Sequence, residues 1–175
     1  MLELKKHFEF PIQKKIQFFE LKLTNDLVDN NYFIKKIDEG CELEKNMSFK
    51  TNVKGKMTDW RFFQKDENFI YILKKALCFL PINEKLELVE AWGIKMNPGN
   101  FTQIHAHNEM NYSGILYLND ADNKIFFPEI NVEIQPKKNT ILVFSGILDH
   151  YTNHVEKNIK YAIPFNMIIS KQWDR

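Results

Sequence analysis

Halfway along the chain the hydrophobic period changes from a mixture of helix and strand spacing to almost pure strand spacing. This change limits the fold more than any other feature. From residue 86 to 170 apolar residues alternate in short runs broken by turn residues. Leu86, Leu88, Trp92, Ile94 and Met96 alternate along one strand, and Pro98-Gly99-Asn100 then turns the chain. Ile104–His107 and Gly114–Leu118 read as short strands. Asp120–Asn123 turns into Lys124–Phe127, and Ile130, Val132 and Ile134 alternate up to Pro136. After a turn at Lys137–Asn139, Thr140–Phe144 reads as a buried strand, and Ile159–Ile169 closes the set. Short strands at roughly ten-residue spacing belong to a sandwich, barrel or jelly roll.

Residues 1–85 mix helices and strands and read as support for this β core. Ile16–Leu21 is a candidate strand. Leu27, Phe33, Ile34 and Ile37 fall at helical spacing, with Thr24 or Asn25 as cap and Gly40 as stop. A second helix is predicted over Asp66–Leu80, capped by Asp66 and stopped by Pro81, with Phe69, Ile72, Leu73, Ala76, Leu77 and Leu80 on one face. The expectation is one domain over residues 1–175, mainly β in an α+β arrangement, with a few helices packed on one sheet. A chain of 175 residues with 14% aromatic content can bury such a core.

The net charge of +1 gives no electrostatic case for binding nucleic acid or an anionic membrane. No apolar segment follows the charged start Met1–Lys6, and no apolar run approaches the roughly 18 residues of a membrane span. A soluble protein acting in the cytoplasm is expected. Cys78, inside the apolar run Ala76–Leu80, reads as an inert core thiol, and Cys41 as a free thiol near a helix end.

Four of the five histidines fall in the β half, and His7 lies in the polar N-terminal stretch. His105 and His107 are one residue apart, which on a strand puts both imidazoles on one face and Ile104 and Ala106 on the other, toward a core. Neutral imidazole is the commonest transition-metal ligand, so the pair is a two-point metal site. His150, after the loop Ser145–Asp149 that follows the apolar strand, supplies a third ligand if the barrel brings it back across its mouth. His154 is its rival.

These residues carry a resemblance. The stretch His105-Ala106-His107 through Ser113-Gly114-Ile115-Leu116-Tyr117-Leu118 resembles the metal-binding segment of 2-oxoglutarate/Fe(II) oxygenases, in particular a family common in tailed phages of marine bacteria. Phe144–His150 is similar to that family's apolar strand, corner and distal histidine, and Lys160–Asn166 to its closing strand. More remotely, Pro98-Gly99, His105-Ala106-His107, Tyr117-Leu118-Asn119, His150 and Lys160 follow the order of the prolyl hydroxylase motifs.

The resemblance implies a double-stranded β-helix over Phe101–Asn166. It implies Fe(II) on His105, His107 and His150, with 2-oxoglutarate and O2 as cosubstrates and ascorbate as reductant. Lys160 takes the position that meets the far carboxylate of 2-oxoglutarate, supported by the Tyr117 hydroxyl, and Asn166 lies on the same strand face. The prime substrate implied is a peptide or protein side chain. This sequence departs from the pattern at His107, where the superfamily usually has a carboxylate. Glu109 opens a second register, with His107, Glu109 and His150 as ligands. A cupin shares the barrel and most of the histidine spacing but predicts no role for Lys160. A β-sandwich binding module predicts no metal at all.

Overall fold

In the computed structural model, which describes residues 15–43 and 52–170, two helices and twelve strands follow the two halves of the chain. His7, the segment Met1–Lys6 and part of the loop Lys45–Trp60 lie outside the described residues. The first half gives β1 (Phe18–Lys22), α1 (Asn30–Leu43), β2 (Val53–Lys54), β3 (Lys56–Met57) and α2 (Glu67–Leu77). The second gives β4 (Leu86–Ala91), β5 (Ile94–Met96), β6 (Phe101–Thr102), β7 (Tyr112–Tyr117), β8 (Ile125–Phe127), β9 (Val132–Ile134), β10 (Thr140–Ser145), β11 (Tyr151–Thr152) and β12 (Lys160–Ile169).

Seven strands form the large sheet in the order β1-β10-β7-β12-β5-β3, with β4 also paired to β12. Two small sheets, β11-β8-β9 and β2-β6, lie apart from it. They are joined by a backbone bridge between His105 and His150 and by the Thr102 N–H donating to Thr152 Oγ1 at 2.9 Å. All pairings are antiparallel. The result is a double-stranded β-helix, or jelly roll.

Alternation along the large sheet divides its side chains between two cores. Tyr112, Leu116, Ile141, Val143, Ile163, Phe165 and Met167 pack outward with Phe33, Ile37, Phe69, Ile72, Leu73 and Ala76 of the helices. Ile115, Tyr117, Leu142, Phe144 and Ala162 pack inward with Ile125, Phe127 and Leu148. The closing strand β12 therefore turns Lys160, Ala162, Pro164 and Asn166 toward the barrel interior, the face the sequence assigns them. Asp66 caps α2 by accepting the Phe69 N–H at 3.0 Å, as expected. The same carboxylate binds Lys36 Nζ at 2.6 Å and the Tyr32 hydroxyl at 2.8 Å, which ties α1 to α2.

Five sequence expectations fail for local reasons. The helix α1 starts at Asn30, where Asp29 Oδ1 accepts the Tyr32 N–H, and not at Thr24 or Asn25. Gly40 is buried inside α1 and is no stop, because a Cβ there would lie 2.7 Å from Thr58 Cγ2, so the residue serves close packing. Cys41 beside it is buried in the last turn of α1 and so does lie near a helix end, as expected. Cys78 is exposed, because α2 ends at Leu77 and the chain then turns Phe79 outward as well. The alternation from Leu86 to Met96 is broken by a β-bulge at Val89, where β4 shifts register against β12, so Leu86 and Leu88 pack with the helices while Trp92, Ile94 and Met96 pack inside the barrel. Finally, Ile104–His107 is not a strand. Only His105 makes a bridge there, and Ile104 is 57% exposed instead of facing a core. No helix among the described residues is long and apolar enough to cross a membrane.

Gly114, at the centre of the large sheet, has no room for a side chain. A Cβ would stand 2.2 Å from Phe165 Cζ and 2.5 Å from the Leu142 carbonyl oxygen. Gly114→Ala is expected to destabilise the fold by about 1–3 kcal/mol, the usual cost of overpacking. Urea denaturation of the variant checks this, and an unchanged midpoint would contradict the packing described.

Candidate functional site

His105 and His107 sit on the segment after β6, and His150 sits immediately before β11. Reciprocal backbone bonds, His105 N–H to the His150 carbonyl at 3.1 Å and His150 N–H to the His105 carbonyl at 2.9 Å, hold the two residues opposite each other. His107 is set by a turn: its N–H donates to the Gly146 carbonyl at 2.7 Å, and its carbonyl accepts from Met110 N–H at 2.8 Å. Gly146 permits this approach, since a Cβ there would fall 2.4 Å from the Met110 carbonyl oxygen and 2.8 Å from that of His107. The two imidazoles thus converge without a regular strand.

The ring centroids are 5.0 Å apart for His105–His107, 4.3 Å for His105–His150 and 5.4 Å for His107–His150. One nitrogen of each lies within 4.8 Å of the others, and no other group of three His, Cys, Asp or Glu among the described residues is so arranged. With metal–nitrogen bonds of about 2.0–2.1 Å, small ring rotations suffice for one ion to bind all three. His105 Nδ1 lies 2.8 Å from the Gln103 carbonyl oxygen, and His150 Nδ1 lies 3.0 Å from that of Leu148. A carbonyl can only accept, so each Nδ1 carries the proton and each Nε2 keeps its lone pair for a metal.

Burial lowers the pKa of all three imidazoles. His107 is brought down to about 4 by burial and then by His105, and His150 to about 3 by burial and by His105. His105 is lowered chiefly by burial, against hydrogen bonding to Gln103 and the charge of Asp149. All three are neutral at pH 7, the form that binds metal.

A narrow cavity runs inward from the triad, lined by Trp92, Ile115, Phe144, Lys160, Pro164 and Asn166. It holds only about 40 Å³, less than a dicarboxylate needs, and it shares Val53, Trp92, His105 and His107 with an outer cleft of about 540 Å³. Lys160 is 2% exposed. Its Nζ makes no hydrogen bond or ion pair among the described residues and sits 5.3 Å from the Tyr117 ring centroid. Burial alone lowers its pKa to about 7. The Tyr117 hydroxyl is buried without a hydrogen-bond partner among the described residues, and burial raises its pKa, so it stays a donor. Asn166 lines the cavity, but its amide is engaged: Oδ1 accepts from Ser113 Oγ at 2.7 Å and Nδ2 donates to Glu90 Oε2 at 2.9 Å.

Two rival ligands stay out of the triad. Glu109 is exposed and lines a different hollow, near Gln17 and Glu84. His154 is exposed, with its ring 4.5 Å from that of Phe101. Sequence reasoning missed Trp92, Glu90 and Gly146. Trp92 falls in an alternating run that reads as ordinary core. Glu90 becomes visible only when β4 is paired with β12, opposite Asn166. For Gly146 the signal was its place between an apolar strand and the distal histidine.

The chain matches no protein-family profile and no curated protein sequence. Among solved structures its fold is that of 2-oxoglutarate/Fe(II) oxygenases. It is similar to the viral collagen prolyl hydroxylase of Paramecium Bursaria Chlorella virus-1 in complex with 2-oxoglutarate, at 16% identity over 86% of this chain and 94% of that one, with TM-score 0.65. A Trichoplax adhaerens prolyl hydroxylase bound to a hypoxia inducible factor peptide matches at 13% identity over 87% and 83%, with TM-score 0.63. HygX of Streptomyces hygroscopicus, with nickel and 2-oxoglutarate bound, matches at 11% identity over 87% and 83%, with TM-score 0.60.

His105→Ala and His150→Ala are each expected to abolish tight Co(II) or Fe(II) binding in titration calorimetry. Glu109→Ala and His154→Ala should retain it. Since burial lowers all three imidazoles, protons should begin to compete with Co(II) only at a lower pH than they do for exposed histidines. A decline already evident near pH 7 would mean that the imidazoles titrate like exposed ones.

Proposed function

We propose that the chain is an Fe(II)- and 2-oxoglutarate-dependent dioxygenase in which His105, His107 and His150 hold the metal. When bound, Fe(II) supplies the redox chemistry by which O2 converts 2-oxoglutarate to succinate and CO2 and hydroxylates a C–H bond of a second substrate, with ascorbate keeping the metal reduced. Lys160 receives the far carboxylate of 2-oxoglutarate, the Tyr117 hydroxyl donates to the same group, and Asn166 forms part of the pocket wall. The unbranched stem of Lys160 provides the rotatable bonds by which the narrow cavity widens. Residues 1–175 act as one oxygenase domain.

The observation that carries this reading is Lys160. A buried cation without an anion is costly, and a dicarboxylate that reaches from the triad to it supplies the missing charge. A cupin-type site leaves this lysine unexplained. The second substrate, by likeness to a collagen prolyl hydroxylase and to a prolyl hydroxylase in complex with a hypoxia inducible factor peptide, is a peptide or protein side chain. The phage-like blocks favour a phage-borne enzyme at work in the host cytoplasm.

Purified protein with Fe(II), ascorbate and O2 is expected to convert 2-oxoglutarate slowly to succinate without a second substrate, as read by succinate assay. Neither turnover nor 2-oxoglutarate binding would sink the reading. Lys160→Ala should weaken 2-oxoglutarate binding by about 2–4 kcal/mol, the cost of unpairing a buried charge, and leave metal affinity nearly unchanged.

The pH dependence follows from the same residue. Only protonated Lys160 pairs with the carboxylate, and burial places half-protonation of the ligand-free protein at about pH 7. Affinity for 2-oxoglutarate should therefore be full below pH 7 and fall by up to about tenfold per pH unit above it. A flat profile from pH 6 to 9 would remove Lys160 from the binding site.

A further inference from the structure

The outer cleft of about 540 Å³ ends on His105 and His107 and continues into the inner cavity past Trp92. Its walls combine an aromatic corner with one fixed carboxylate. The corner is Trp60 against Trp92, with ring centroids 4.8 Å apart and an interplanar angle of 66°. The carboxylate is Glu90. Strand pairing sets Ser113 on β7, Asn166 on β12 and Glu90 on β4 side by side in the large sheet. A hydrogen-bond chain runs along that row, from Ser113 Oγ to Asn166 Oδ1 and from Asn166 Nδ2 to Glu90 Oε2. One carboxylate oxygen is thereby anchored to the middle of the sheet. The other, Oε1, has no hydrogen bond or ion pair among the described residues, and the side chain lines the cleft.

The other charges of the cleft lie farther out. Asp59 and Arg61 are both exposed, whereas Glu90 is half-buried. They belong to one turn, in which Asp59 Oδ1 accepts the Arg61 N–H at 2.8 Å, and their opposite signs offset each other at the lip. Glu90 is left as the net charge near the aromatic corner. A carboxylate with indole faces beside it is a combination that favours a cation, since the ring quadrupole and the carboxylate both attract positive charge.

Resting on the oxygenase reading, we propose that this cleft takes the second substrate by a cationic side chain, an ammonium or guanidinium on a peptide. Glu90 and the Trp60–Trp92 corner bind the cation. Glu90 is then the residue that determines charge specificity.

The test uses the Fe(II)-loaded protein with 2-oxoglutarate under anaerobic conditions, so that binding is read without turnover. The probes are acetylated, amidated pentapeptides with a central lysine, arginine, norleucine or glutamate between alanines, and free L-lysine and L-arginine. Tryptophan fluorescence reports binding. The lysine or arginine peptide is expected to bind at least about tenfold more tightly than the norleucine and glutamate peptides. E90Q keeps an acceptor for Asn166 and should bring the lysine peptide down to the norleucine value. Equal or absent binding of the lysine and norleucine peptides, or a preference that survives E90Q, overturns the proposal. Free lysine that binds as tightly as the peptide overturns the peptide source. In each of these cases 2-oxoglutarate turnover stands as a separate measurement, and only its loss counts against the oxygenase reading.

Discussion

An amine held in a barrel with no counter-ion among the described residues constrains everything around it. Removing a charge from water costs several kcal/mol even after local relaxation. Lys160 meets that cost in part by losing its proton more readily, with its pKa lowered to about 7, and in part through the face of Tyr117. The remainder must come from the sheet. The strand β12, which carries Lys160 at its start, pairs with β4, β5 and β7, and its opposite face packs Ile163, Phe165 and Met167 against the helices. The outer helical core is thus the counterweight to an inner site that the chain alone leaves electrostatically incomplete.

Much of this was legible in the sequence because a strand has a period of two. The alternation on β12 put Lys160 and Asn166 on one face, and that face is the barrel interior. The H-x-H spacing and the distal His150 pointed to a convergence that the fold produces. The reason given for it was incomplete: His105 and His107 share a side through a bridge and a Gly146-supported turn, not through a strand. What stayed hidden depends on contacts between distant residues. Gly40 looks like a helix stop until Thr58 and Phe62 are packed against it. Leu86 and Leu88 look continuous with Trp92 until the bulge at Val89 sends them to the other core. Glu90 looks like a solvated strand residue until Asn166 is placed beside it.

Three neutral imidazoles leave a bound dication without the compensating carboxylate that a mixed ligand set provides. On the proposed reading the missing negative charge comes from 2-oxoglutarate, a dianion, which shifts part of the electrostatic balance of the centre from protein to ligand. The exposed placement of Glu109 fits that division, since its carboxylate stays in water at the opposite hollow.

The His105–His150 bridge has a further consequence. The strands β2, β6 and β11 that make this wall of the barrel have only two residues each, too short to hold the wall by themselves. A cation gripped by imidazoles from both sides of the bridge would rivet that wall by mass action, since it binds the folded form and not the unfolded one. The lifetime of such a protein would then track the supply of that metal: in scarcity the rivet is lost first, the wall frays, and proteases gain access to the chain.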